Sequence, residues 1–191
     1  MTDVREDVLA ELENRDDTLR LDDFVRIIES HHATRRGATD GDDRSIDRGP
    51  RGVDRETLAA YAEAVRFDVD LAALDDRVVD SDDWVEGGRF YDFGGDRISV
   101  YPPDWHDAIA DTDDIRHVVR VIQDETTEVE GDHWGAVTED RGVPEEKVFR
   151  VAETVAGIDR EAAREQIKEL RQSGEIEEFA SQNRNPTIRL S

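Results

Sequence analysis

The chain has 191 residues, a formal net charge of -24 from 49 acidic against 25 basic residues, and 36% apolar residues. That is enough apolar material for two small domains with modest cores, but no apolar run approaches the length of a membrane span or a secretory leader, so a cytoplasmic protein is expected. Cysteine is absent, which excludes a disulfide framework and any cysteine zinc site.

From the N-terminus, Val4 to Arg15 places Val4, Val8, Leu9 and Leu12 on one face at helical spacing. Leu21 to Ser30 does the same with Leu21, Phe24, Val25, Ile27 and Ile28. Asp16, Asp17 and Thr18 between them offer N-cap side chains. Ala33 to Val53 has little apolar periodicity and cannot bury enough surface to offset the entropy of ordering, so a mobile loop over 33–53 is expected. Its arginines, Arg35, Arg36, Arg44, Arg48 and Arg51, could touch phosphates, but the reading favoured is a solvated insertion in which they balance Asp40, Asp42, Asp43 and Asp47.

From Asp54, the pattern Leu58, Tyr61, Ala62, Ala64 and Val65 predicts a third helix, and Val69 to Val79 a fourth carrying Leu71, Leu74, Val78 and Val79. The period then changes. Trp84 to Phe93 and Arg97 to Tyr101 are rich in aromatic and β-branched residues, with Gly94, Gly95 and Asp96 supplying the positive φ of a tight hairpin. Pro102 and Pro103 mark a boundary. The aromatic group Trp84, Phe90, Tyr91, Phe93, Tyr101 and Trp105 is read as core rather than as a stacking platform for single strands.

Ile115 to Gln123 opens the second unit as a helix burying Ile115, Val118, Val119 and Ile122, and Thr126 to Arg141 fits neither pattern. Pro144 suits a first helical turn, with Val148, Val151, Ala152 and Val155 buried and Gly157 ending the helix. Asp159 is the N-cap of the next helix, with Ile158 stapling onto Ala163; Ala162, Ala163, Ile167 and Leu170 face inward and Gly174 closes it. A hairpin follows: Ile176 to Phe179, a tip over 180–186, and Thr187 to Leu190.

The fold class expected is mainly α with small β-hairpins (α+β), arranged as tandem winged helix-turn-helix-like domains. The N-terminal one covers 1–103 and ends in a hairpin; the C-terminal one covers 104–191. In the latter, Arg160, Arg164, Lys168 and Arg171 recur at steps of four, four and three, as a recognition helix presents cations to a groove, and Arg184 joins them from the wing tip. Glu161, Glu165 and Glu169 form a neighbouring stripe, with Glu161 and Arg164, and Glu165 and Lys168, at i, i+3. A solvated helix laced with ion pairs is the competing reading.

The run GVPEEKVFRVAETVAGIDREAAREQIKELRQSGEIEEF, with its Pro-led acidic helix, Gly-Ile-Asp junction and basic-Gly-Glu-Ile turn, resembles the C-terminal winged-helix domain of archaeal MCM-type replicative helicases. The resemblance lies within 142–190 and implies a winged helix in a replication or transcription setting. The segment from Glu125 to Arg141 is longer than that family has between its first two helices. No GxxxxGK[ST] loop is present, so ATPase activity is not implied. The Asp-rich composition, with Lys147 and Lys168 the only lysines, resembles proteins of salt-in halophilic archaea. At about 1 M salt the Debye length is roughly 3 Å, so the charge reports habitat more than partner.

Catalysis has no positive support. His31, His32, His106, His117 and His133 form no short ligand pair. Asp80, Asp82 and Asp83, like Asp111, Asp113 and Asp114, lack the glycine and bidentate Glu of a calcium loop, and no serine has a nucleophile elbow. The expected protein is a non-enzymatic duplex-DNA-binding regulator or replication accessory, without cofactor or metal, acting through Arg160, Arg164, Lys168, Arg171 and Arg184. The alternative is an adaptor whose winged helices dock on a replication or transcription protein. A continuous positive patch around the helix from Asp159 to Ser173 would favour DNA, and a mixed or negative one the adaptor.

Overall fold

A computed structural model describes residues 4–15, 19–33, 51–85, 87–110, 112–128, 142–179 and 186–191. The chain is mixed α and β and divides into two compact units, Met1–Asp104 and Trp105–Ser191. Asp16, Asp17 and Thr18, nearly all of the expected loop over 33–53, most of Thr126 to Arg141 and the hairpin tip over 180–185 lie outside the described residues.

The first unit runs α1 (Glu6–Glu13), α2 (Leu21–Ala33), β1 (Val53–Asp54), α3 (Arg55–Ala64), α4 (Ala72–Asp75), β2 (Val78–Val79), β3 (Phe90–Asp92) and β4 (Arg97–Ser99). Its sheet has the order β1-β4-β3-β2, antiparallel except for the parallel pair β2 and β3. Val8, Leu12, Phe24, Val25, Ile28, Leu58 and Tyr61 form the core with Phe90, Tyr91 and Ile98. Phe90 and Tyr91 are neighbours on one strand, pointing to opposite faces, and both are fully buried. Phe90, Tyr91, Tyr101 and Trp105 are thus buried residues, whereas Trp84 and Phe93 are half-exposed.

Three expectations are corrected here. Val69 to Val79 is not one helix. Asp70 accepts the amides of Ala72 and Ala73 and starts α4, which lasts one turn before the chain extends into β2. A short run of apolar residues has no period to distinguish the two outcomes. The strand before the hairpin turn begins at Phe90, not Trp84. Val53 belongs to a strand and is buried, not part of a loop. The hairpin turn does carry its three positive φ values, 72° at Gly94, 59° at Gly95 and 63° at Asp96.

Helix α5 (Pro103–Ile109) begins in the last two residues of the first unit and buries Trp105 and Ile109 of the second, which then runs α6 (Ile115–Glu128), β5 (Val143–Pro144), α7 (Glu145–Val151), α8 (Arg160–Ser173), β6 (Ile176–Phe179) and β7 (Thr187–Leu190). Its sheet is antiparallel with the order β5-β7-β6. Pro144 is not in the first helical turn. It sits in β5 and at the extended N-cap of α7, where an edge strand tolerates its missing amide hydrogen. A π turn, Ala152–Ala156, extends α7 to the left-handed Gly157. Ala162 is exposed and Leu170 half-exposed, so the buried face of α8 is Ala163 and Ile167.

The two units repeat one plan. Residues 52–65 and 142–155 align at a constant offset of 90, with Gly, Val, Glu, Ala, Glu and Val identical at Gly52, Val53, Glu56, Ala62, Glu63 and Val65. Val53 pairs with Ile98 and Val143 with Ile188, at the same offset. A Cβ on Gly52 would stand 2.6 Å from the Ile98 carbonyl oxygen, and one on Gly142 2.5 Å from that of Ile188. Both glycines thus serve close backbone approach. Phe24, Val25, Arg26 and Ile28 of α2 correspond to Val118, Val119, Arg120 and Ile122 of α6. The units part company at the third helix of the plan, one turn in α4 and 14 residues in α8.

Candidate binding surface on α8

The local sequence of α8 fixes where its cations go. Asp159 caps the helix by accepting the Glu161 amide at 2.9 Å. Gly174 ends it at φ 76°, letting the Glu175 amide return to the Leu170 carbonyl at 2.9 Å. With Ala163 and Ile167 turned into the core, the flanking charged residues lie along the rim and the outer face.

The four described cations divide into two pairs. Arg160 reaches back to α7, pairing with Glu146 and, at 3.3 Å, with Glu153, while its guanidinium lies 5.1 Å over the Phe149 ring. Arg171 joins Glu145 at the start of α7 to Glu178 of β6, the latter at 2.7 Å. These two are clamps between elements. Burial alone would raise the Glu146 carboxyl, but Arg160 and Arg150 outweigh it and hold that carboxyl below the usual range. The same contacts raise the Arg160 guanidinium against its own desolvation.

Lys168 and Arg164 point outward. Lys168 pairs with Glu165 at 3.1 Å, with side chains 59% and 63% exposed, so that pair contributes little. Among the described residues Arg164 has no ion pair, and its guanidinium sits 5.8 Å over Phe149. Arg184 lies outside the described residues. Glu161, Glu165 and Glu169 are exposed on the same helix, and Glu175, Glu177 and Glu178 follow it. The surface around α8 is therefore mixed in charge, with no continuous positive patch among the described residues.

Glu145, Glu146, Glu153 and Glu178 are the partners that sequence reasoning missed. No spacing rule points to them, because they come from other elements; the Glu-Glu start of α7 is their only local signal. Residues 142–191 hold ten acidic and eight basic residues, so almost all of the net charge of -24 lies in 1–141.

Among the described residues no group of three or more His, Asp or Glu side chains is placed to hold a metal ion, and no helix is long and apolar enough to cross a membrane. Comparison with protein-family models, with curated proteins and with solved structures found no match.

Proposed function

We propose that both units are winged helix-turn-helix domains and that the chain is a non-enzymatic adaptor, docking a partner protein through the outer side of α8. The connectivity supports the fold reading. In each unit a helix, a short strand, two further helices and an antiparallel hairpin follow in order, and the first strand pairs with the last. The first unit adds β2 and has only one turn at the position of the recognition helix, so duties carried by that helix fall to α8.

One observation carries the functional reading: α8 interleaves its exposed cations with Glu161, Glu165 and Glu169, while Arg160 and Arg171 are already engaged by α7 and β6. Molar salt would loosen the ion pairs. It would not remove the carboxylates from the face that a phosphate backbone must approach. A protein surface of mixed charge complements such a face, and charge patterning there selects the partner.

Duplex DNA is the second reading, favoured by the near-neutral balance of 142–191 and by the outward Arg164 and Lys168. A photo-crosslinking residue at Gln172, exposed on α8, separates the two when the full chain is expressed in a halophilic archaeal host. A discrete protein adduct that survives nuclease treatment, and that the double variant Arg164→Glu with Lys168→Glu loses, supports the adaptor. Crosslinks to DNA, together with duplex binding in molar KCl that the same variant abolishes, overturn it.

A further inference from the structure

We propose that the outer edge of β6 is a strand-addition site, taking an extended, β-branched segment of a partner protein that runs parallel to β6. This rests on the adaptor reading above and concerns a different face of the same unit from the outer side of α8.

The first unit supplies the precedent. Phe93 donates its amide to the Arg97 carbonyl at 2.9 Å, so alternation along β3 turns Tyr91 and Phe93 toward β4 and the peptide groups of Phe90 and Asp92 toward the opposite edge. That edge is filled by β2. Val78 and Val79 pair in parallel with Phe90 and Tyr91, and the Phe90 amide donates to the Arg77 carbonyl at 3.0 Å. The Arg77 guanidinium then lies 4.8 Å over the Phe90 ring.

The second unit has the same strand without the cover. Asp92 pairs with Ile98 and Glu178 with Ile188. Phe90-Tyr91-Asp92-Phe93 therefore corresponds to Ile176-Glu177-Glu178-Phe179. The Ser191 amide donates to the Glu175 carbonyl at 3.0 Å, which turns Glu175, Glu177 and Phe179 toward β7 and the peptide groups of Ile176 and Glu178 outward. Among the described residues nothing bonds to those two amides. The stretch that forms β2 in the first unit is helical in α8, so this unit cannot fill its own edge in the same way.

The occupant is read from β2: two β-branched apolar residues behind a basic one, in parallel register. Glu177 and Glu178, exposed at this edge, already pair with Arg189 and Arg171, so the choice of segment rests on the β-branched pair. Main-chain hydrogen bonds would supply the affinity and the side chains the choice of segment.

The probe is the synthetic peptide of the chain's own residues 74–81, titrated into the isotopically labelled full chain in molar KCl and followed by amide NMR. Saturable shifts at Ile176 and Glu178, half complete at about 1 mM peptide, are expected; a scrambled peptide should leave them unmoved. Glu178→Pro removes an outward amide hydrogen without touching the β7 ladder, and should abolish the shifts, whereas Glu178→Ala, which loses the same pair with Arg171 but keeps the amide hydrogen, should retain them. A spin label at the peptide's N-terminus should broaden Ile176 more than Phe179.

No saturable shift at β6, or equal shifts in the Pro variant, overturns the proposal; broadening stronger at Phe179 overturns the parallel direction. Peptide-free shifts at these amides that grow with protein concentration assign the edge to a second copy instead. Arg164→Glu with Lys168→Glu should bind the peptide as the unaltered chain does. Failure at α8 and failure at this edge are therefore read separately.

Discussion

Glu29 and Gln123 occupy equivalent places in the two units: a Glu29 carboxylate oxygen accepts the Val100 amide at 3.2 Å, and the Gln123 side-chain oxygen accepts the Leu190 amide at 3.3 Å. Each ties the second helix of its unit to the end of the last strand. Only Glu29 does so with an ionisable group, and burial pushes its carboxyl up to about 7 against the opposing bonds from Ser99 and the Val100 amide. Arg97 and Arg26 are the charged groups that favour its ionised form.

Glu29→Gln should therefore stabilise the first unit at neutral and alkaline pH. A carboxyl whose folded pKa of about 7 exceeds its ordinary value of 4.5 contributes its full stability below 4.5 and loses it as pH rises through 7. The penalty above pH 7 is of order 3 kcal/mol for a shift of this size. Denaturation midpoints in molar KCl should fall between pH 5 and pH 8 in the unaltered chain and stay level in the variant. Parallel profiles would show that Glu29 does not set this dependence.

Gly142→Ala should destabilise the second unit. The new Cβ would stand 2.5 Å from the Ile188 carbonyl oxygen and 2.7 Å from its carbon, backbone that cannot swing aside as a side chain would. Overpacking of this kind costs about 1–3 kcal/mol. Gly52→Ala should cost more, because the same clash with Ile98 is joined by a φ of 70°. Comparing thermal midpoints of the two variants checks the order. A neutral Gly142→Ala would mean that β5 and β7 are less closely paired than described.

What could be read from the sequence was local. Asp159, Gly174 and the hairpin turn at Gly94 to Asp96 each act within a few residues, so their residue types disclose them. The strands Val53–Asp54 and Val143–Pro144 are two residues long and carry no period. With them went the internal repeat, which is spelled in scattered identities between 52–65 and 142–155. The charge pattern of α8 was legible too, but not its meaning. Glu165 and Lys168 could be paired by spacing, whereas Arg160 and Arg171 are held by glutamates from α7 and β6 that only the folded chain brings near.

That division of the arginines makes opposite predictions for Arg160 and Arg164. Arg160→Ala leaves Glu146 to Arg150 alone, removes the Arg160 pair of Glu153 and takes one of two guanidinium groups off the Phe149 ring, a loss of about 1 kcal/mol once solvent screening is allowed for. It should also reshape the acid limb of the stability curve. The Glu146 carboxyl is held below its ordinary value of 4.5, so it contributes stability above that pH and loses it as pH falls through the depressed value; without Arg160 that contribution shrinks. Arg164→Ala, at an exposed position with no described ion pair, should change stability by less than about 0.5 kcal/mol. Partner capture by α8 should respond the other way, weakening with Arg164→Glu while the folded state is unchanged. Urea unfolding at pH 4 and pH 7, run beside the crosslinking assay, checks both. A destabilising Arg164→Ala with a silent Arg160→Ala would reverse the assignment of clamp and contact.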